Sequence, residues 1–177
     1  MHGAGQELSA VAAVQLRMRL RVRSSLLCVC FVSCLAGAEE FTARVIVVLD
    51  GDTVLVVRGT ERIKIRLADI DAPEKDQPYG MASKRALLDR VLHQQVQINS
   101  RAQDDYGRTV AHLLLDGLNV NEEQVRQGMA WEYSHFHKDR RYRALQAEAW
   151  QARRGLWEQD DPTPPWQWRK AHPRVPR

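Results

Sequence analysis

Short apolar runs alternate with polar turns between residues 41 and 115, a pattern that predicts β-strands. The first two runs are rich in β-branched residues and flank the turn Asp50-Gly51-Asp52. The third run alternates apolar and basic side chains, as does a strand with one buried face. The five predicted strands are Phe41–Leu49, Thr53–Arg58, Arg62–Leu67, Val96–Ser100 and Thr109–Leu115.

Apolar residues at helical spacing predict helices between and after these strands. One helix is expected at about 79–93 and another at about 138–154, where Gly155 ends the pattern. Between them, Asn119 and Glu122 form an N-cap arrangement and Gly128 a C-terminal stop. This order of elements predicts an α+β protein that is mainly β, a five-stranded OB-fold barrel with about three packed helices.

The N-terminal 38 residues have the pattern of a secretory signal peptide. Four arginines precede the apolar stretch Leu26–Leu35, and the small residues Ala36-Gly37-Ala38 follow it. We therefore expect cleavage after Ala38 and a secreted or periplasmic product. Two alternatives remain open: the stretch stays attached as a membrane anchor, or Cys34 carries a lipid. Met18 is an alternative start of the chain.

Residues 39–158 are the expected OB-fold domain, and residues 159–177 a tail rich in proline and basic residues. From Pro162 onward we expect the tail to be extended on the surface or disordered. Trp166 and Trp168 are expected to anchor the tail to the domain, with stacking on bases as the alternative. Trp150 and Trp157 are expected in the core.

Charge and cysteine content narrow the function classes. The chain has 26 Lys and Arg against 22 Asp and Glu, but beyond residue 38 the numbers are 22 and 21, so net charge alone does not indicate nucleic acid. The cysteines are Cys28, Cys30 and Cys34, all inside the apolar N-terminal stretch. A disulfide framework, a cysteine-based zinc site and a thiol nucleophile are therefore excluded for the domain.

The candidate chemistry lies at the ends of the predicted strands. Asp52 follows a tight turn, and Asp71 and Glu74 follow the third strand. Converging carboxylates repel one another unless a cation neutralises them, and oxygen ligands suit Ca²⁺ or Mg²⁺. The acids would bind a divalent metal and provide a free carboxylate, and Arg66 and Arg108 add two guanidinium groups. That combination suits attack on a phosphodiester.

The order and spacing of these residues resemble the staphylococcal nuclease (thermonuclease) family. The similarity runs from about Phe41 to Trp157. The matching stretches are Val48-Leu49-Asp50-Gly51-Asp52-Thr53-Val54, Ile65-Arg66-Leu67, Asp69-Ile70-Asp71-Ala72-Pro73-Glu74, Asp105-Tyr106-Gly107-Arg108, Val120-Asn121-Glu122, Val125-Arg126-Gln127-Gly128-Met129-Ala130 and Gly155-Leu156-Trp157.

The resemblance implies a Ca²⁺-dependent endonuclease of the micrococcal type that cuts DNA and RNA to 3′-phosphate ends. It implies Ca²⁺ ligands from the carboxylates of Asp52 and Asp71 and the Ala72 carbonyl, with Thr53 supporting the shell through water. Arg66 and Arg108 would hold the phosphate, and Glu74 would orient or deprotonate water. Two tyrosines would contact the nucleotide, namely Tyr106 and Tyr133.

Two positions depart from the family pattern. Ala72 stands where Thr is common, which leaves a backbone ligand intact. Asp105 replaces a Lys beside the phosphate site, which should weaken substrate binding. We expect a monomer that prefers single-stranded substrates and has no stable protein partner. The alternative is a non-catalytic OB-fold module, either free or tethered to a membrane, that binds nucleic acid or a partner.

Overall fold

The computed structural model describes residues 39–133 and 140–173. In this part of the chain the strands are β1 (Glu40–Val48), β2 (Thr53–Arg58), β3 (Glu61–Leu67), β4 (Ile70–Asp71), β5 (Gln95–Gln103), β6 (Thr109–Leu115), β7 (Leu118–Asn119) and β8 (Trp131–Glu132). The helices are α1 (Gly80–Val91), α2 (Val120–Arg126), α3 (Arg141–Gln151) and α4 (Pro165–Ala171), with a 3₁₀ turn at Gly155–Glu158.

Five long strands form a closed barrel. They lie in the order β3-β2-β1-β5-β6 with antiparallel neighbours. The ends of this sheet then meet in a parallel pairing of β3 with β6, where Ile65 lies opposite Thr109. Irregular register between Val45 and Val47, and between Ser100 and Ala102, bends the strands as closure requires. The predicted OB-fold barrel with packed helices is confirmed.

The barrel interior is filled by the inward face of each strand. The alternation expected along β3 is present, because Ile65 and Leu67 are buried while Lys64 is exposed. The other fully buried side chains include Val45, Val54, Val56, Leu87, Val91, Ile98, Leu113, Val120 and Val125. Each such aliphatic side chain contributes about 1.5–3 kcal/mol by leaving water. Helices α1 and α2 therefore share one core with the strands and hold the barrel rim that carries the polar turns.

The C-terminal half departs from expectation at one core position. Helix α3 runs from Arg141 to Gln151 and turns Tyr142 and Ala149 inward. Trp157 is buried as expected, with its ring against Trp131 at 4.5 Å between centroids. Trp150 is 63% exposed, so its predicted place in the core is wrong. It lies next to Ala149 on the helix and therefore faces away from the residue that packs.

The proline-rich tail is helical where we expected an extended or disordered segment. Pro165 starts α4, a position that suits proline because the first helical N–H has no partner within the helix. Trp166 lies 5.6 Å from the rings of both Trp131 and Tyr133. Gln77 donates a 2.6 Å hydrogen bond to the Thr163 carbonyl. Aromatic burial thus offsets the entropy of ordering the tail, and Trp166 anchors it as expected.

Several expectations fall outside the described residues. These are the signal peptide at 1–38, Cys34 as a lipid site, and the start of the predicted helix near residue 138. In residues 39–133 and 140–173, no helix is long and apolar enough to cross a membrane.

Candidate active site

One cavity of about 970 Å³ collects every side chain that the sequence nominated. The nominated residues that line it are Asp52, Thr53, Arg66, Asp71, Ala72, Glu74, Tyr106, Arg108 and Tyr133. They come from distant parts of the chain, so their convergence is a product of the barrel. The lining also includes residues that were not nominated, namely Leu49, Asp50, Lys64, Pro73, Lys75, Asp76, Trp168, Arg169 and His172.

Strand register brings the polar residues together. Thr53 at the start of β2 pairs directly with Arg66 near the end of β3. Asp71 lies only a short turn beyond β3, in the two-residue strand β4. Arg108 immediately precedes Thr109, which pairs with Ile65 across the seam of the barrel. The turns that carry the site therefore all open at the same rim.

The Asp50-Gly51-Asp52 turn is clamped onto the helices. A Cβ at Gly51 would lie 1.8 Å from the Ser83 hydroxyl oxygen of α1, so only glycine permits this approach. The buried Gln124 side chain of α2 donates a 2.8 Å hydrogen bond to the Gly51 carbonyl. These contacts fix where the backbone places Asp52.

Asp52 is a buried carboxylate whose oxygens have assigned partners. It accepts hydrogen bonds from the Thr53 hydroxyl at 2.9 Å and from the Ala72 backbone N–H at 2.7 Å. An ion pair of 3.1 Å joins it to the Arg66 guanidinium. Its orientation is therefore set by a strand, a loop and a cation, and the bond from Ala72 ties the Asp71 loop to the first turn.

Arg66 connects the two buried acids. One of its terminal nitrogens donates to the carbonyls of Leu67 at 2.7 Å and Ile70 at 2.9 Å. The other lies 3.1 Å from an oxygen of Asp52 and 3.2 Å from an oxygen of Asp71. Only a planar guanidinium can serve both directions at once. Its side chain is 15% exposed, so a face remains open to the cavity.

The loop that carries Glu74 is braced from both sides. The Glu74 backbone N–H donates to the Gln77 side-chain carbonyl at 3.1 Å, and the Gln77 N–H donates to the Glu74 carbonyl at 2.9 Å. Gly80 at the start of α1 packs against that same carbonyl. The Glu74 side chain is 21% exposed, which places its carboxylate at the edge of the cavity.

Arg108 is held by Asp104 rather than by the adjacent Asp105. The Asp104 carboxylate accepts from Arg108 Nε at 2.7 Å and from the backbone N–H of Arg108 at 2.9 Å. Burial acts to raise the pKa of Asp104, but these hydrogen bonds with Arg108 outweigh it and lower that pKa. Tyr106 is 85% exposed, and its ring lies 5.4 Å from the Arg108 guanidinium carbon. The sequence alone did not show which of Asp104 and Asp105 pairs with Arg108.

Three aspartates lie close together on one side of the cavity, namely Asp50, Asp52 and Asp71. Burial, followed by the negative charge of Asp52, raises the pKa of Asp50 to about 6. Burial also raises the pKa of Asp71, although the guanidinium groups of Arg169 and Arg66 act against it. Burial is the largest cause of both raised pKa values, so Asp50 and Asp71 lie in a poorly solvated part of the cavity wall.

Arg169 of α4 lines the cavity and contacts two of the nominated acids, a position that the sequence analysis did not predict. Its guanidinium lies 2.8 Å and 3.2 Å from the two oxygens of Asp71 and 3.0 Å from an oxygen of Glu74. The acids raise the pKa of Arg169, which stays charged. The sequence indicates only that the tail is basic and assigns no role to Arg169 itself.

The donor atoms at the site fit a hard divalent cation. In the part of the chain that the structure describes, no three or more His, Cys, Asp or Glu side chains form a metal-binding group by themselves. The carboxylates of Asp52 and Asp71 nevertheless converge, because each has an oxygen within 3.2 Å of one Arg66 nitrogen. Thr53 and Ala72 beside them add oxygen atoms to the cavity wall. Ca²⁺ takes roughly six to eight oxygens, so water would complete the shell.

Comparison with known proteins specifies the family of this OB-fold barrel with acids and arginines at one rim. The family model described as "Staphylococcal nuclease homologue" matches residues 64–159. The chain is 40% identical over 148 residues to an "Uncharacterized endonuclease" of Haemophilus influenzae, covering 83% of each protein. The chain therefore belongs to the staphylococcal nuclease family.

Two further relatives have similar coverage. An "Uncharacterized endonuclease" of Escherichia coli O157:H7 is 44% identical over 131 residues, which is 73% of this chain and 86% of that protein. A "Micrococcal nuclease" of Shigella flexneri is 38% identical over 143 residues, which is 75% of this chain and 82% of that protein. The similarity thus extends over most of each relative and is not limited to a motif.

Proposed function

We propose that this protein is a Ca²⁺-dependent endonuclease that hydrolyses phosphodiester bonds of DNA and RNA to 3′-phosphate ends. Membership in a nuclease family and the endonuclease names of its relatives support an endonuclease with nucleic-acid substrates. The observation that carries the proposal is the meeting of Arg66, Glu74 and Arg108 at one cavity beside two buried aspartates.

In the proposed reaction the guanidinium groups of Arg66 and Arg108 bind the scissile phosphate. One terminal nitrogen of Arg66 is fixed by two backbone carbonyls, and Arg108 is fixed by Asp104. Preorganised donors stabilise charge that develops in a transition state without reorganising during the reaction. The removal of one such donor typically costs about 10²–10³-fold in rate. Both arginines therefore act on the phosphate in the proposed reaction.

Glu74 lines the cavity, and its side chain is 21% exposed. In the proposed reaction it orients a water molecule and takes its proton while the water oxygen attacks phosphorus. The bond from phosphorus to the 5′ oxygen breaks, and that oxygen takes a proton from solvent and leaves as a hydroxyl. The phosphate stays on the 3′ oxygen. A divalent cation held by Asp52 and Asp71 would supply additional positive charge for the phosphate oxygens.

Two tyrosines extend the site away from the reacting atoms. Tyr106 is 85% exposed and Tyr133 is 37% exposed, and both line the cavity. Exposed aromatic rings bind unstacked bases, with a contribution of about 1–3 kcal/mol per base. Bases of a duplex are not available for such stacking, so we propose that single-stranded substrates are preferred. We also propose that the enzyme acts as a monomer.

The proposed location is outside the cytoplasm. The arginines, apolar stretch and small residues of the first 38 residues support export through a signal peptide. The product would be secreted or periplasmic. Retention through an uncleaved anchor, or through a lipid on Cys34, is the alternative, and N-terminal sequencing of the exported protein distinguishes a chain that starts at Glu39 from an uncleaved one.

Cleavage of single-stranded DNA and RNA with and without Ca²⁺ tests the activity. We expect excess chelator to abolish cleavage, added Ca²⁺ to restore it, and mass spectrometry to find a phosphate on the 3′ ends of the products. Activity that persists in chelator would contradict the cation dependence. Binding of the oligonucleotide without cleavage in any divalent cation would instead identify a non-catalytic binding module.

A further inference from the structure

The C-terminal helix inserts an arginine into the centre of the site. Arg169 donates to both oxygens of Asp71, at 2.8 Å and 3.2 Å, and to Glu74 at 3.0 Å. Asp71 is only 4% exposed, whereas the Arg169 side chain is 43% exposed. The arginine therefore approaches a buried carboxylate from the open side of the cavity, the side from which a ligand would enter.

Helix α4 is docked by contacts other than this ion pair. Pro165 is buried, and Trp166 packs against Trp131 and Tyr133 at 5.6 Å between centroids. The Thr163 carbonyl accepts a 2.6 Å hydrogen bond from the Gln77 side chain. The tail is thus held at its start, which leaves Arg169 near the helix end free to exchange partners without undocking.

Arg169 and a divalent cation would compete for the carboxylate oxygens of Asp71. Both carboxylate oxygens already accept from Arg169, and one of them also lies 3.2 Å from Arg66. A cation bound to those oxygens would lie beside a guanidinium of like charge, which is unfavourable. We propose that Arg169 is a third active-site arginine: it pairs with Asp71 and Glu74 in the cation-free protein, and it binds the substrate phosphate when a divalent cation occupies Asp71.

The closeness of two guanidinium groups at Asp71 supports this exchange. Arg66 and Arg169 both contact the same oxygen of Asp71, so their guanidinium groups lie close together. Once that carboxylate is shared with a cation, the positive groups around it need an anion in their place, and a phosphodiester meets this need. Release of Arg169 also frees the Glu74 oxygen that it occupies. The inference thus rests on the proposed nuclease function and adds a residue to it.

Calorimetric titration of the metal-free protein with Ca²⁺ tests the competition without any catalytic readout. Arg169→Gln should bind Ca²⁺ about fivefold or more tightly than wild type, since a coupling free energy of ordinary size is lost. Lys170→Gln is the matched control, because it removes the same charge from the adjacent exposed position. Equal affinities in the two variants would overturn the competition. No Ca²⁺ binding in any variant would contradict both this inference and the calcium dependence of the proposed function.

Steady-state kinetics on a single-stranded oligonucleotide at saturating Ca²⁺ test the second half of the proposal. Arg169→Gln should raise KM at least about fivefold relative to Lys170→Gln, and Arg169→Lys should recover part of the loss because it keeps the charge. Thermal unfolding of each variant checks that the domain stays folded. A KM equal to that of Lys170→Gln would overturn the transfer of Arg169 to the phosphate while leaving the nuclease function intact.

Discussion

Gly80 lies directly against the backbone carbonyl of Glu74: a Cβ at Gly80 would fall 1.9 Å from that oxygen. The start of helix α1 thus packs directly against the loop that carries Glu74, the candidate general base. Because backbone atoms cannot yield as a flexible side chain can, any substituent at this position must move the loop.

Gly80→Ala should therefore displace Glu74 and reduce cleavage by roughly 10²-fold, the scale of a displacement near 1 Å. The overpacking should also cost about 1–3 kcal/mol in the free energy of unfolding. Gly59→Ala is the control, because a Cβ there meets open space although its φ of +61° is unfavourable for alanine. The measurements are kcat and the free energy of unfolding in denaturant, for both variants. Full activity in Gly80→Ala would show that the loop position is not critical.

Arg66→Ala should lower kcat/KM by roughly 10²-fold or more, since it removes a fixed donor from the proposed phosphate site. It also leaves Asp52 and Asp71 without the guanidinium between them, so the free energy of unfolding in chelator should fall by about 3–5 kcal/mol. Arg62→Ala is the matched control on the same strand, where the side chain is exposed. If the two variants behaved alike, the assignment of Arg66 would be wrong.

Asp104 should make the protein sensitive to acid through its pairing with Arg108. Its pKa in the folded protein lies below the ordinary value of 3.8, so its stabilisation is present above that pH. As pH falls through and below that value, the carboxylate gains a proton and the stabilisation disappears. This partly exposed pair is worth about 1 kcal/mol or less.

The variant Asp104→Asn tests this pairing. It should be less stable than Asp105→Asn at pH 7, and the difference should vanish near pH 2. Its cleavage rate at pH 7 should also fall, by about tenfold, because Arg108 loses its orientation. A stability difference that stays constant with pH would contradict the ion pair.

Asp105 is an exposed acid beside two residues of the cavity wall, Tyr106 and Arg108. Asp105→Lys replaces a repulsive charge with an attractive one and should lower KM for single-stranded DNA at low ionic strength. The gain should shrink as salt rises, since phosphate contacts release counterions. Asp116→Lys, an exposed substitution in another turn, controls for net charge. An unchanged or higher KM would contradict the expected repulsion.

Local pattern predicted most of the fold. The alternation of Ile63, Ile65 and Leu67 identified β3, and helical spacing identified α1 to within a few residues. Trp150 was misplaced because aromatic size was read as burial, although its neighbour Ala149 is the residue that packs. The helical spacing of Tyr142, Leu145 and Ala149 marks the inward face of α3, and Trp150 lies outside that spacing.

Motif spacing predicted the membership of the site but not its internal pairing. Asp52, Arg66 and Asp71 meet as expected because strand register fixes them. Arg169 was out of reach, because its contact with Asp71 spans 98 positions and depends on how Trp166 docks the tail. The proline-rich composition pointed to disorder, whereas Pro165 at the first helical turn and the ring packing of Trp166 favour a helix.

Single-turnover cleavage of a labelled single-stranded oligonucleotide by Glu74→Gln tests whether this rim of the barrel carries out the reaction. We expect a rate at least about 10²-fold below wild type in Ca²⁺, with the fold retained. Glu61→Gln, which removes an exposed carboxylate paired with Arg58, should keep the wild-type rate. A Glu74→Gln protein that cleaves as fast as wild type would contradict the proposal that this rim of the barrel is the active site.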